Sequence, residues 1–192
     1  LKKEKLFEHN ENRILIRYTL MDCHSETTLR FQPFLAFRSV RQFTHENSNA
    51  SREYREVENG IATSMYPGYP ELFMQFSKKG EFVFRPDWYR KFEYSKELER
   101  GYEFNEDLYV PGYFEMPIKK GESIVFSAGI KEVSTKGLKR TFTIEANERT
   151  PRDNFYHCLK NAAHQFHNKV DGHHYILAGY PWFKCRARDM FV

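Results

Sequence analysis

Short runs of alternating or β-branched apolar residues, separated by turn signals, make up most of this chain. We predict strands at 14–20, 28–32, 34–37, 53–58, 61–65, 72–76, 81–84, 114–118, 123–130 and 141–144. In the run 123–130 the apolar residues fall on every second position, which is the period of a half-buried strand. No helical stretch separates the runs up to residue 146. The pattern therefore predicts an all-β fold, a large antiparallel β-sandwich, and disfavours repeated βαβ units.

Glycine, proline and asparagine mark the connections between these runs. Asn59 and Gly60 lie between two predicted strands and form a strong hairpin signal. Pro33 interrupts an apolar stretch, and proline suits an edge, a bulge or a strand start better than a central strand. The polar residues of 44–51 predict a loop.

The pattern changes to a helical period near residue 150. Thr150 and Pro151 resemble an N-cap followed by proline at the first helical position, and Asp171-Gly172 resembles a helix end. Between them, one face carries the apolar residues Phe155, Leu159, Ala162, Phe166 and Val170. We expect a sandwich domain over 1–148 and a linker helix that opens a second region, 149–192.

Composition excludes several classes of protein. The chain has 192 residues and a formal net charge of +4, from 30 basic and 26 acidic residues. The basic residues are dispersed, which argues against nucleic acid as a partner, and Lys2, Lys3 and Lys5 suggest a solvated tail. No apolar stretch approaches the roughly 20 residues of a membrane helix, so we expect no membrane partner.

The cysteines and the two ends of the chain suggest a fragment of a cytoplasmic protein. The three cysteines are an odd number without close pairing, which is more typical of a reducing compartment than of a disulfide framework. Leu1 is not a start methionine, and the sequence stops within an apolar run at Phe191 and Val192. We therefore expect further residues on both sides of this segment.

Histidines and cysteines give little support for a metal or a thiol nucleophile. His164 and His167 are three residues apart, whereas helical zinc ligands are typically four apart, and solvent-facing histidines are the ordinary case. Cys185 lies among basic residues, but no His and Asn arrangement is apparent around it. The chain also lacks a P-loop, a dinucleotide glycine pattern and a nucleophile elbow. We expect neither a metal nor a cofactor.

The stretch 97–107 is rich in carboxylates. A glycosidase needs two carboxyl groups on either side of the scissile bond. More acids than a mechanism requires are typical of a solvated loop. Glu106 and Asp107 either line a sugar groove near Trp88 and Tyr89 or, as we favour, cap turns and pair with basic residues such as Arg90 or Arg100.

The last stretch of the chain combines aromatic rings with hydrogen-bonding groups. Tyr180 and Trp182 lie on a Gly-Tyr-Pro-Trp bend, and Arg188 and Asp189 follow side by side. Flat apolar faces beside polar tips suit a sugar, which has apolar C–H patches and a rim of hydroxyls. The alternative is a buried strand and turn with a surface ion pair.

Three segments together resemble the glycogen debranching enzymes of the amylo-α-1,6-glucosidase type, in their bacterial and archaeal form. The first resembling segment covers Leu29 and 33–38. The second and third contain Trp88, Tyr89, Phe92, Tyr94, Glu99, Arg100, Gly101, Glu106, Asp107, Leu108, Pro111 and Gly112, and then Gly179, Tyr180, Trp182, Phe183, Arg188 and Asp189. The departures are Phe31, Gln32, Lys91, Arg186, Ala187 and Met190, where the family has other residues.

The resemblance implies a supersandwich domain that precedes an (α/α)-barrel catalytic domain in the same chain. It implies that the domain is non-catalytic and positions an α-glucan, glycogen or a maltooligosaccharide, for hydrolysis of α-1,6 branch points. Trp88, Tyr89, Tyr180 and Trp182 would stack on sugar rings, and Arg188 and Asp189 would bind hydroxyls of the glucose at the cleaved bond. The alternatives are a stand-alone carbohydrate-binding module and a purely structural or interaction sandwich.

This interpretation predicts that the chain alone does not hydrolyse glycosidic bonds, because the carboxyl pair that cleaves them would belong to the following domain. Incubation with a branched dextrin, followed by a glucose assay, is expected to show no release above a buffer control. Glucose release that scales with protein concentration would contradict the prediction.

Overall fold

The computed structural model describes residues 1–170 and 172–179. The chain divides into one compact unit, Leu1–Ala146, and a second unit that begins at Asn147. The strands of the first unit are β1 (Lys2–Phe7), β2 (Arg13–Thr19), β3 (Thr27–Phe31), β4 (Arg55–Val57), β5 (Gly60–Thr63), β6 (Leu72–Phe76), β7 (Glu81–Glu93), β8 (Asn105–Ile118) and β9 (Ser123–Gly129). Its helices are α1 (Ser95–Glu99) and α2 (Leu138–Asn147), which ends at the boundary of the second unit.

The strands of the first unit form two antiparallel sheets. The larger sheet has the order β1-β2-β9-β6-β5-β4, and the smaller sheet has the order β3-β8-β7. Every pairing of neighbouring strands is antiparallel, and β7 and β8 form the longest ladder. The prediction of an all-β antiparallel sandwich is confirmed.

The hydrophobic core lies between the two sheets. Large apolar side chains from both sheets meet there because each strand turns alternate residues inward. The buried members of this core are Leu20, Ile61, Met74, Phe76, Phe114, Met116, Ile118 and Ile124. Phe76 contacts Phe114, with 4.8 Å between ring centroids, and so joins β6 of one sheet to β8 of the other.

Several elements predicted from local sequence signals are present in the structure. The Asn59-Gly60 signal joins β4 to β5, with Val57 paired to Gly60. Asn59 adopts a positive φ of 50°, a conformation that asparagine tolerates better than most residues. The strand predicted at 72–76 matches β6, and the run predicted at 123–130 matches β9 to within one residue.

The predicted strand at 141–144 is wrong, because these residues lie in helix α2. Leu138 and Phe142 are four residues apart and therefore lie on one helical face. They pack against Leu6, Leu15 and Val125, on the face of the larger sheet opposite the inter-sheet core. Residues 141–144 form a helix because this apolar face of the sheet must be covered, and a single strand could not cover three neighbouring strands at once.

The predicted lysine tail is also wrong. Residues 2–7 pair with 14–19 as an edge strand, and Leu6 is buried. The lysines occupy solvent-facing positions on this edge, where charged side chains discourage association with other sheets. The charge of the lysines predicted that their side chains face solvent, but it could not predict that the backbone of residues 2–7 pairs with β2, which is a nonlocal contact.

The second unit contains a shorter helix than predicted. Helix α3 spans Phe155–Gln165, and the side chain of its N-cap Asn154 accepts a 2.8 Å hydrogen bond from the His157 amide. Thr150 is therefore not the cap. After α3, a hairpin of β10 (His167–Val170) and β11 (His173–Ile176) replaces the predicted last helical turns. In 1–170 and 172–179, every helix is too short or too polar to be a membrane span.

The contact between α2 and the sheet gives a stability prediction. Phe142 is 1% exposed, and the guanidinium of Arg17 lies 4.4 Å from its ring centroid. We expect Phe142→Ala to lower the free energy of unfolding by about 3–5 kcal/mol, because it removes a buried ring and leaves a cavity. Urea denaturation measures this change.

Ile144→Ala is the matched control on the same helix. Ile144 is 45% exposed, so its truncation is expected to cost about 1 kcal/mol or less. Equal losses in the two variants would show that α2 does not cover the sheet as described.

Candidate functional site

A long connection between β3 and β4 lies along the end of the β7–β8 ladder. After Pro33, its backbone forms a single bridge to β8, in which Leu35 and Tyr109 exchange hydrogen bonds of 2.8 and 3.0 Å. The predicted strand at 34–37 is reduced to this bridge. The rest of the connection has few backbone partners, so side chains of the hairpin must hold it in place.

Glu106, near the start of β8, holds this connection. The side chain of Glu106 is fully buried, and Arg38 donates to both of its carboxylate oxygens. The Thr44 amide donates to Oε1 at 3.2 Å, and the Tyr94 hydroxyl donates to Oε2 at 2.6 Å. The carboxylate therefore accepts hydrogen bonds from the loop on one side and from the end of β7 on the other.

These contacts set the ionisation of the group. Burial by itself raises the pKa of Glu106, but the hydrogen bonds from Arg38, Tyr94 and Thr44 outweigh it, so the pKa lies below its ordinary value. Burial and the adjacent carboxylate raise the pKa of Tyr94. Glu106 is consequently a fixed anion at neutral pH. Its four hydrogen bonds suit a structural role and leave it poorly suited to donating a proton.

The next residue, Asp107, holds the same region from another direction. Its carboxylate accepts hydrogen bonds from the Glu46 amide at 2.9 Å and the Lys91 amide at 2.8 Å. Lys91 has a positive φ of 58° and lies within a bulge of β7, between Tyr89 and Phe92. Asp107 thus fixes both the loop and the irregular turn of β7 that re-aims the following side chains.

The expectation for the acidic stretch is confirmed in part. Asp107 caps backbone amides as expected, but the predicted ion-pair partners of Glu106 are wrong. Its partner is Arg38, whereas Arg90 pairs with Glu46 and Arg100 pairs with Glu97. A groove lined by Glu106 is excluded, since that carboxylate has no exposed surface.

Above this network lies a row of aromatic rings, which we call the aromatic strip: Phe34, Tyr89, Phe92, Tyr94 and Phe43. Successive ring centroids are separated by 5.0, 6.4, 5.1 and 5.1 Å. Phe34, Tyr89 and Phe92 are 47%, 50% and 39% exposed, so their rings are accessible to a ligand. The two ends of the strip, Phe34 and Phe43, come from the loop, and the middle comes from β7 and the residue that follows it.

The six residues predicted for the site have different locations. Trp88 is 6% exposed and packs against Tyr109 and Met65, with 5.5 Å between the Trp88 and Tyr109 centroids. Its neighbour Tyr89 lies in the aromatic strip, as expected for consecutive residues of a strand. The other predicted residues lie outside the described part of the chain: Tyr180, Trp182, Arg188 and Asp189, together with the departures Arg186, Ala187 and Met190. Sugar binding by all six stays a prediction.

The remaining charges near the strip form exposed pairs. His45 interacts with Glu103 at 2.9 Å, and this contact raises the pKa of His45 against the opposing effect of burial. Within residues 1–170 and 172–179, no cluster of three or more His, Cys, Asp or Glu side chains is arranged to hold a metal ion. The aromatic strip is therefore the candidate binding surface, and the buried acids are its support.

Sequence reasoning missed most of the strip. Phe34, Phe92 and Tyr94 belonged to the resembling segments, but no local pattern assigned them to a site. The pair Arg38 and Glu106 is separated by 68 positions in sequence. Only a record of covarying positions would have carried a signal for such a contact.

The buried anion generates a test. We expect Glu106→Gln to lower the free energy of unfolding by about 2–3 kcal/mol, because the uncharged amide keeps one acceptor oxygen and turns an NH2 donor toward groups that themselves donate. Glu103→Gln is the control, since the Glu103 side chain is 63% exposed and its pair contributes little. A loss no larger than that of the control would contradict the assigned role of Glu106.

The same comparison has a defined pH dependence. Because the folded-state pKa of Glu106 is lowered, its stabilisation is complete above the unfolded pKa of about 4.3 and is lost as pH falls through the folded value. The difference between wild type and Glu106→Gln is expected to stay constant from neutral pH to about pH 5 and then to shrink. Urea titrations at several pH values measure it, and a difference that grew on acidification would contradict the prediction.

Comparison with known proteins places the chain in a family. A family model described as glycogen debranching enzyme N terminal matches residues 1–125, more than half of the 192 residues. The matched range contains Arg38, Glu106 and the whole aromatic strip. No curated protein and no solved structure gives a significant match. On the strength of the family match, the chain belongs to the family of N-terminal domains of glycogen debranching enzymes.

Proposed function

We propose that this domain binds an α-glucan chain along the aromatic strip. It thereby positions the glucan for a catalytic domain of the same chain, which hydrolyses the α-1,6 branch points. The observation that carries the proposal is the row of rings from Phe34 to Phe43, in which Phe34, Tyr89 and Phe92 are exposed and Tyr94 and Phe43 are half-buried. Membership of the debranching family makes an α-glucan the natural ligand for such a surface. The same reasoning makes glycogen catabolism in the cytoplasm the proposed setting.

Stacking chemistry supports a sugar ligand. One face of a glucosyl ring presents C–H groups, which pack favourably on an aromatic face, while the hydroxyls around the rim remain solvated. Exposed rings in a continuous row can contact several successive glucosyl units. Isolated exposed aromatic residues are common on proteins, but a row of five rings in contact is not explained by chance exposure.

The support beneath the rings adds to the argument. The network of Glu106 and Asp107 fixes the loop that supplies Phe34 and Phe43 and the bulge that orients Phe92. Binding surfaces that are fixed in advance lose less conformational entropy when a ligand binds. Fully satisfied buried charges are a costly way to hold a loop that has no function.

Five of the residues predicted from the sequence complete the proposal in different ways. Trp88, whose side chain is buried on the inner face of β7, supports the strand backbone that presents Tyr89. Tyr180 and Trp182 would offer further stacking surfaces. Arg188 and Asp189 would bind hydroxyls of the glucose at the cleaved bond, the role that family resemblance gives them.

The proposal predicts a specific loss of affinity. Tyr89 contacts Phe34 and lies 6.4 Å from Phe92, so its removal interrupts the strip. We expect Tyr89→Ala to weaken maltoheptaose binding about five- to tenfold, which corresponds to about 1–1.4 kcal/mol. Titration calorimetry or tryptophan fluorescence measures the change.

Tyr102→Ala is the matched control. Tyr102 is 60% exposed and makes no ring contact with the strip, so its removal is expected to leave affinity unchanged. Absence of any maltooligosaccharide binding by the wild-type chain would refute glucan binding at this surface and favour a purely structural sandwich.

A further inference from the structure

A small cavity adjoins the aromatic strip at Tyr89, the second ring from its Phe34 end, on the sheet formed by β3, β8 and β7. Its volume is about 260 Å³, and Tyr89 lines it while also belonging to the strip. Its polar lining includes Arg30, Gln32, Arg85 and Asp87. Ligand pockets for drug-sized molecules typically hold about 300–1,000 Å³, so this cavity suits a single ring.

Glycine forms part of the lining for a steric reason. Gly112 has φ +148°, and a Cβ there would lie 2.2 Å from the carbonyl oxygen of Val83. No other residue fits this close approach of β8 to β7. The part of the lining that Gly112 contributes therefore consists of backbone alone.

The two arginines of the cavity have different roles. Arg30 donates to Glu115 at 2.8 Å, and its guanidinium lies 4.3 Å from the centroid of the Tyr113 ring. These two contacts hold its side chain in place, so it forms one side of the cavity. Arg85 is exposed, and within the described part of the chain its guanidinium has no hydrogen bond or ion pair. Its donors are free for a ligand.

Asp87 supplies acceptors in the same lining. Its Oδ1 accepts a 2.7 Å hydrogen bond from the Trp88 amide and lies 3.3 Å from Nη1 of Arg90. The side chain remains 64% exposed, so the carboxylate can still accept from a ligand. The hydrogen bond from the Trp88 amide is the main cause of the lowered pKa of Asp87; burial opposes it, and Arg90 and Arg85 add to it. The group is an anion at neutral pH.

This combination favours a neutral polyol over an anion. A sugar hydroxyl both donates and accepts, and it needs donors such as Arg85 and acceptors such as Asp87 on the same wall. Neighbouring hydroxyls on one ring suit the forked geometry of a guanidinium or a carboxylate. A phosphate carries negative charge and would be repelled by Asp87.

We propose that this cavity binds the non-reducing terminal glucosyl unit of an α-glucan whose inner units lie on the aromatic strip. The inference rests on the proposed function. An inner unit of a linear chain is linked at both O1 and O4 and must leave a pocket in two directions. The terminal unit keeps a free O4 hydroxyl beside its O3 hydroxyl, which is the vicinal pair that Arg85 and Asp87 can bind together.

The experiment compares a glucan with ends and one without. Titration calorimetry on the full 192-residue chain would use linear maltoheptaose and the cyclic β-cyclodextrin, which has the same number of glucosyl units. Wild type is expected to bind the linear glucan more tightly. Arg85→Ala is expected to weaken the linear glucan about tenfold and to leave the cyclic one within about twofold, whereas Tyr89→Ala weakens both.

A second variant of the cavity and one control variant complete the series. Asp87→Asn keeps an oxygen that can accept from the Trp88 amide, and it is expected to reproduce the selective loss for the linear glucan. Arg100→Ala removes an exposed charge that pairs with Glu97 and does not line the cavity, and it is expected to change neither affinity. Thermal denaturation of each variant identifies any that is unfolded.

The outcomes separate the two proposals. Failure of the wild type to bind either glucan would overturn the proposed function. Binding of both glucans with no selective effect of Arg85→Ala and Asp87→Asn would overturn the chain-end cavity alone. Displacement of linear glucan by inorganic phosphate, but not by maltose, would also overturn it, because the cavity would then be an anion site.

Discussion

A fully buried carboxylate, Glu106, is the constraint on which the candidate surface depends. An isolated charge in a protein interior is costly, so the surrounding chain must supply donors to it. Arg38 and Thr44 provide those donors from the loop, and Tyr94 provides another from the end of β7. The hydrogen bonds to this one anion therefore join three segments at a single point: the loop, the end of β7 and β8.

The position of the aromatic rings follows from that constraint. Arg38 lies four residues after Phe34, and Thr44 directly follows Phe43. Because Glu106 anchors Arg38 and Thr44, it also places Phe34 and Phe43 at the two ends of the strip. The cation of Arg38 also lies 5.0 Å from the ring centroid of Phe43, a separation at which a guanidinium is attracted to an aromatic face. A polar network beneath the surface thus determines the geometry of an apolar surface above it.

The sandwich supplies the rigid base for this arrangement. Its inter-sheet core holds the β7–β8 ladder, and α2 closes the opposite face of the larger sheet. Binding residues on a loop are useful only when a well-packed scaffold fixes their ends. The α-glucan proposed as the ligand of this surface is suggested by the family to which the domain belongs.

Local period, turn chemistry and short motifs were enough to predict the all-β class, the strands β2 to β6 and β9, the Asn59-Gly60 hairpin and the family. Of the two longest strands they predicted only 81–84 of β7 and 114–118 of β8. Contacts within the folded chain were needed to show that residues 2–7 form a strand, that 141–144 belong to a helix, and that Tyr89 is accessible whereas Trp88 is buried. The same contacts identify Arg38 as the partner of Glu106. Each of these features depends on contacts between residues distant in sequence, and local propensity carries no information about which distant surface or charge a segment will meet.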